Sequence, residues 1–150
     1  MPRGSTCDPE SVGGVDWVWG ANTAGQLNRE QDQVFAPFKP EGINGEDVKF
    51  TAVSAGAYVS AALDEHGRVW TWGDSDRGQL GLGDSQARSV HSQVAIPDGV
   101  GISFIDAANL ALFAIDNTGQ VWAWGHKSIR GDGNDSLDAL TPVRVAMPRP

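Results

Sequence analysis

Six tryptophans fall into three W-x-W-G units: Trp17-Val18-Trp19-Gly20, Trp70-Thr71-Trp72-Gly73 and Trp122-Ala123-Trp124-Gly125. The second tryptophan recurs at 19, 72 and 124, so the spacings are 53 and 52 residues. A fixed period of this size marks a propeller blade or a solenoid unit, each of which buries its core only against its neighbours. Between Val53–Gly73 and Ile105–Gly125 the match runs without gaps, and 8 of 21 positions are identical. Val94-Ala95-Ile96-Pro97 returns as Val145-Ala146-Met147-Pro148, 51 residues on.

Each unit reads as short strands. Ala55–Leu63 is small and apolar with no 3.6-residue polar stripe. Asp64-Glu65-His66-Gly67 and Asp116-Asn117-Thr118-Gly119 then supply a hairpin signal, with Asp capping the turn and Gly67 or Gly119 taking a positive φ. In the Val69–Trp72 strand, residues two apart share a face, so both tryptophans of a unit point the same way. Gly73 ends that strand, as Gly20 and Gly125 do in the other units. A glycine-rich loop follows, with Gly78 in Gly78-Gln79-Leu80-Gly81 and Gly25 in the first unit. A last strand is expected around Ser92–Ile96, stopped by Pro97. The fold class is therefore all-β, with antiparallel four-stranded units of about 52 residues. Trp17, Trp19, Trp70, Trp72, Trp122 and Trp124 read as core between neighbouring sheets, ahead of a stacking platform for a sugar or base.

The run Ala55-Gly56, Ala62-Leu63, Gly67-Arg68-Val69-Trp70-Thr71-Trp72-Gly73, Gly78-Gln79-Leu80-Gly81-Leu82-Gly83 resembles one repeat of the regulator-of-chromosome-condensation family. Trp19-Gly20-Ala21-Asn22-Thr23-Ala24-Gly25-Gln26-Leu27 matches the same pattern. The resemblance implies a β-propeller of about seven blades, and a closed ring would need roughly 360 residues. This chain has 150, so a partial propeller is expected. The expected division is an N-terminal tail over 1–13, then one repeat domain over 14–150. That domain is read as a half blade at 14–42 and blades at 43–97 and 98–148.

Four departures stand out. The third unit has Ala107-Ala108-Asn109 where Ala-Gly is usual, and His126–Gly133 replaces the Gly-Gln-Leu-Gly loop. Asn28 stands where the first unit would have its second loop glycine. Val59 and Ala111 occupy the position where the family usually has histidine.

Composition narrows the functional classes. Lys+Arg is 11 and Asp+Glu is 19, a formal net charge of −8. Binding to a phosphate backbone needs clustered cations, so no nucleic-acid partner is expected. The single cysteine, Cys7, excludes an intramolecular disulfide and a thiolate zinc cluster. No apolar run reaches the roughly 20 residues of a membrane span, and no signal-peptide segment opens the chain. A soluble chain without membrane insertion is expected, in the cytoplasm or as part of a particle.

No nucleophile–base pair, phosphate loop or metal-ligand spacing is evident. The expectation is a non-enzyme with no cofactor and no metal. His66, His91 and His126 read as solvated turn or loop residues. Asp132-Gly133-Asn134 reads as a turn rather than a calcium loop, because it lacks the EF-hand glycine and closing glutamate. Candidate partner-contact loops carry Asp74, Asp76 and Arg77 in the second unit and Arg130, Asp132 and Asn134 in the third. Candidate assembly edges are Val15 at the front, within Val12–Val18, and Val143 and Val145 at the back, within Val143–Met147.

The functional expectation is a structural or protein-binding module within a multi-subunit assembly, such as a virion or another large particle. Its partners would be proteins, copies of itself included. What the resemblance implies adds two alternatives: a lectin-like or enzyme-inhibiting propeller, and a guanine-nucleotide exchange regulator.

Overall fold

The computed structural model describes residues 48–128, 131 and 136–147 in full, with the strand backbones of 10–12, 15–21 and 33–38. Eleven strands form three antiparallel sheets: β1 (Glu10–Val12), β2 (Val15–Ala21) and β3 (Gln33–Phe38); β4 (Phe50–Ala55), β5 (Val59–Asp64), β6 (Val69–Gly73) and β7 (Arg88–Gln93); β8 (Ile102–Ala107), β9 (Ala111–Asp116), β10 (Val121–Gly125) and β11 (Ala139–Arg144). Within each sheet the strands pair in chain order, so each is a simple meander. No helix occurs among the described residues.

The two four-stranded sheets share one register. Trp70 pairs with Ala62 and Trp72 with Ser60, while Trp122 pairs with Ala114 and Trp124 with Leu112. Both outer pairings shift at the same place, between Thr71 and Gly73 and between Ala123 and Gly125. The fourth strand of the middle sheet begins earlier than its sequence signal, at Arg88, because Gly73 pairs with Arg88 across that shift. The pairing still reaches the expected segment, where the Val94 N–H bonds to the Val69 carbonyl at 2.9 Å.

Two further expectations are corrected. Glu10-Ser11-Val12, assigned by sequence to the tail, pairs with Trp17-Asp16-Val15 and gives the first sheet a third strand. Backbone pairing needs no apolar run. His91, expected in a solvated loop, is a buried residue of β7. Its ring lies 5.5 Å from Phe50 and 4.2 Å, edge-on, from Trp72. Burial pushes its pKa down to about 4, because the charged imidazolium loses its hydration there.

The core is the junction between the middle and C-terminal sheets. Trp122, Trp124, Leu112, Ala114 and Ile105 lie on one face of the C-terminal sheet. They pack on Val59, Ala61, Leu63, Val69, Leu80 and Val94 of the middle sheet. Trp70 and Trp72 lie on the opposite face of the middle sheet, with Phe50 and Ala62. Strand alternation thus gives each four-stranded sheet a tryptophan face and an acceptor face.

Candidate protein-interaction surfaces

In the middle and C-terminal sheets the W-x-W strand is tied to its own hairpin by an aspartate. Asp64 Oδ1 accepts the N–H groups of His66 (2.9 Å) and Arg68 (3.0 Å). Its Oδ2 accepts from the Trp70 indole at 2.9 Å and the Arg68 guanidinium at 2.6 Å. Burial opposes ionisation of Asp64, but these bonds outweigh it and its pKa falls below the usual value. Asp116 repeats the arrangement with the Thr118 hydroxyl (2.6 Å), the Trp122 indole (2.9 Å) and the Thr118 and Gln120 amides. The Thr118 hydroxyl and then the Trp122 indole do most to hold its pKa at about 2. These carboxylates are structural: each orients an indole, and Trp70 and Trp122 each sit under a guanidinium, Arg68 and Arg144 respectively. An indole–carboxylate bond was legible in principle, since Asp and Trp stand six residues apart in both units.

The Gly78-Gln79-Leu80-Gly81 loop is a latch between sheets. Leu80 is fully buried in the junction core, and its carbonyl accepts from the Thr71 hydroxyl at 2.8 Å. Buried Gln79 accepts the Arg77 N–H through Oε1 at 2.8 Å and shapes the turn. A Cβ at Gly81, where φ is +70°, would stand 2.7 Å from the Trp124 indole nitrogen. One at Gly78 would stand 2.6 Å from the Leu140 side chain. The Gly83 N–H then bonds to the Leu140 carbonyl at 2.8 Å.

At the inner strands the junction is hydrogen-bonded as well. The Ala107 N–H bonds to Ser54 Oγ and the Ala57 N–H to Asn109 Oδ1, both at 2.9 Å. Here the approach is closest: a Cβ on Gly56 would stand 2.4 Å from the Ala108 carbonyl oxygen. At the hairpin ends the Ile102 N–H bonds to the Gly67 carbonyl at 3.1 Å. An open groove of about 400 Å³ lies there, lined by Thr51, Asp64, His66, Ser103 and Asn117 among others. Its one buried carboxylate, Asp64, is already engaged.

Of the candidate contact residues, Asp74, Asp76 and Arg77 are described. Asp74 Oδ1 accepts the Asp76 N–H at 3.2 Å, which makes a local turn. Arg77 reaches across the junction to Asp138 at 3.7 Å. Val145 is buried, and Val143 is half-buried against the core, so neither is a free surface contact. Arg130, Asp132, Asn134 and Gly25 lie outside the described residues, as do the side chains of Val15, Trp17 and Trp19. Gly20 is described by backbone alone, paired with Val34. Among the described residues no three His, Cys, Asp or Glu side chains gather to hold a metal, and no helix is long and apolar enough to cross a membrane.

Phe104, Phe113, Ile115 and Val121, on the acceptor face of the C-terminal sheet, are not among the candidate residues named from the sequence. In the middle sheet this face carries Ala61, Leu63 and Val69, all buried under the neighbouring sheet. In the C-terminal sheet the same positions are Phe113, Ile115 and Val121, which are only half-buried. Phe104, in place of Ala52, is 54% exposed. On the same face Ala111 and Ala123 are buried, and Asp106 pairs with Phe113.

Stacked four-stranded meanders, each presenting a tryptophan face to its neighbour, define a β-propeller-type repeat protein. A family model described as the Regulator of chromosome condensation (RCC1) repeat matches residues 14–63 and 66–108, and a second of the same description matches 50–79. The chain belongs to this repeat family. It is 32% identical over 86% of its length to the mitochondrial RCC1 domain-containing protein RUG3 of Arabidopsis thaliana, and spans 29% of that protein. Over 92% of its length it is similar to the crystal structure of human WBSCR16, with a TM-score of 0.76 and 27% identity, covering 36% of that chain. Yeast RCC1 (Prp20), in a crystal structure bound to Kap60, shares the fold over 89% of this chain and 33% of its own, with a TM-score of 0.75 and 18% identity. The chain thus spans about a third of the length of these relatives.

Proposed function

We propose that this chain is a non-catalytic protein-binding module that works within a multi-subunit assembly. The open apolar face of the C-terminal sheet carries this reading. A contiguous surface built from Phe104, Phe113, Ile115 and Val121 is costly to leave in water, and such patches mark interaction sites. A repeat stack supplies a rigid scaffold for that surface, because the middle and C-terminal sheets each carry an aspartate–indole bond and the latch joins the two. The functional units are the blades at 43–97 and 98–148, preceded by the shorter first sheet. A structural role in a virion or other large particle is a narrower form of the same proposal.

Solution mass, hydrogen exchange and affinity capture with the 150-residue chain test it. The expected result is a stable complex, with slow amide exchange in β8–β10. A stable monomer at micromolar concentration, with fast exchange in those strands and no captured protein, overturns it.

A further inference from the structure

Two fully buried polar groups have no hydrogen-bond partner: the Ser75 hydroxyl and the Trp124 indole N–H. Trp70 and Trp122, also buried, each give their indole N–H to a carboxylate at 2.9 Å. Both orphaned groups lie at one strap of chain, residues 75–83. Ser75 begins it, and Gly81 lies against the Trp124 indole nitrogen, where a Cβ would stand 2.7 Å away. A buried polar group without a partner loses its hydration and gains nothing in return. That penalty is of the same order as the gain from burying one leucine side chain. Within the strap Gly78, Gly81 and Gly83 hold positive φ, at 73°, 70° and 89°. Glycine gives up more conformational freedom on ordering than any other residue. The closed strap therefore carries costs that the sheets beside it do not.

We propose that this strap is a lid: it opens as a unit between fixed ends while the two sheets and their junction stay folded. The ends are held independently of it. The Asp74 N–H bonds to the Tyr58 carbonyl at 2.8 Å, and the Asp84 carboxylate accepts from the Arg88 guanidinium at 2.8 Å. The turns inside the strap are its own, with the Gly78 N–H on the Ser75 carbonyl and the Gly81 N–H on the Gly78 carbonyl, so they travel with it. Four contacts hold it shut: the buried Leu80 side chain, the Thr71–Leu80 bond, the Gly83–Leu140 bond and the 3.7 Å Arg77–Asp138 pair. Opening gives these up, returns water to Ser75 and Trp124, and frees the glycines. The junction keeps bonds that do not involve the strap: Ala107 to Ser54 and Ala57 to Asn109 at the inner strands, and Ile102 to Gly67 at the hairpin end. Lys127 stands where the C-terminal unit would have its Ser75, so the orphaned hydroxyl is particular to the middle unit. The lid needs no partner, and it adds one movable part to a pinned stack.

Hydrogen exchange of the 150-residue chain, followed by NMR in low urea, tests this. The Trp124 indole N–H is expected to exchange together with the Gly81 and Gly83 amides. Their common rate does not change with urea below the unfolding transition, because the opening exposes little surface. The Trp70 and Trp122 indoles exchange at least ~100-fold more slowly, through global unfolding. Ser75→Ala removes one orphaned group and slows exchange across the strap by ~10-fold. A Trp124 indole that stays protected as long as Trp70 and Trp122 overturns the lid. So does one that exchanges while Gly81 and Gly83 remain protected, which is a fluctuation of the ring and not of the strap. Strap rates unchanged by Ser75→Ala overturn it as well, because the orphaned hydroxyl then plays no part in the opening.

Discussion

The middle and C-terminal sheets are two versions of one object under different conditions. Their registers agree pair by pair, and each anchors its first tryptophan to an aspartate six residues earlier. They part company on the acceptor face, which is covered in one and open in the other. Positions that serve the sheet itself are kept: Asp64 and Asp116, Trp70 and Trp122, Gly73 and Gly125. Positions that serve a neighbour are not: Gly56 against Ala108, Ala61 against Phe113, and the latch against an unrelated loop. Blade-making and blade-docking are therefore separable demands on the same 52-residue frame.

The largest expected effect tests whether the junction is the core. Trp124 is fully buried between the sheets, so Trp124→Ala lowers stability by about 3–5 kcal/mol, read by thermal or urea unfolding. Phe113→Ala, on the open face of the isolated chain, costs much less. Equal losses at the two sites would erase the distinction between covered and open.

Acid separates the two sheets next. His91 aligns with Pro142, so a buried imidazole belongs to the middle sheet alone. With its folded pKa near 4 and an ordinary value of 6.5, only the unfolded chain takes up the proton between these limits. Stability is complete above pH 6.5 and falls by up to about 3 kcal/mol as pH drops through that window. Melts from pH 7 to 4 show this slope in the parent, and His91→Leu flattens it. An NMR titration of the His91 ring with a midpoint at 6.5 would refute it.

A smaller effect is expected at the inner strands. Gly56→Ala forces a Cβ against the Ala108 carbonyl and costs ~1–3 kcal/mol. Ala108→Gly relieves no contact and loses only the ~0.5–1 kcal/mol of added chain entropy. The smallest contrast lies in the hairpins. Gly67 and Gly119 both have positive φ, 74° and 84°, so Ala at either costs about 1–2 kcal/mol in backbone strain. At Gly67 the new Cβ also meets the Ile102 amide at 3.2 Å, while at Gly119 nothing lies within 4 Å. Gly67→Ala is therefore the more destabilising of the two in paired urea melts.

The repeat was legible because its signals are local. The W-x-W-G spacing set the period, the D-x-x-G turns set the hairpins, and strand alternation put each tryptophan pair on one face. The residues of the C-terminal sheet's acceptor face were not legible, because Phe113 and Ile115 read as ordinary apolar strand residues. Only the covered state of Ala61 and Leu63 gives their exposure meaning. His91 was misread for a related reason: the sequence placed the fourth strand four residues too late, so a strand residue looked like loop. The Ala-Gly to Ala-Ala departure was visible from the start, but its cause lies in a neighbouring sheet that a linear reading does not contain.

The latch has a consequence for how such a stack records its own history. Gly78 and Gly81 supply the positive φ of their own turn, and their missing side chains also make room for Leu140 and Trp124 of the next sheet. Selection on the loop is thus exerted by a tenant next door. When a duplicated unit loses that tenant, its loop is released at once, while its tryptophans and aspartate stay under constraint. In this chain the wording of one unit's loop is testimony about the presence of another.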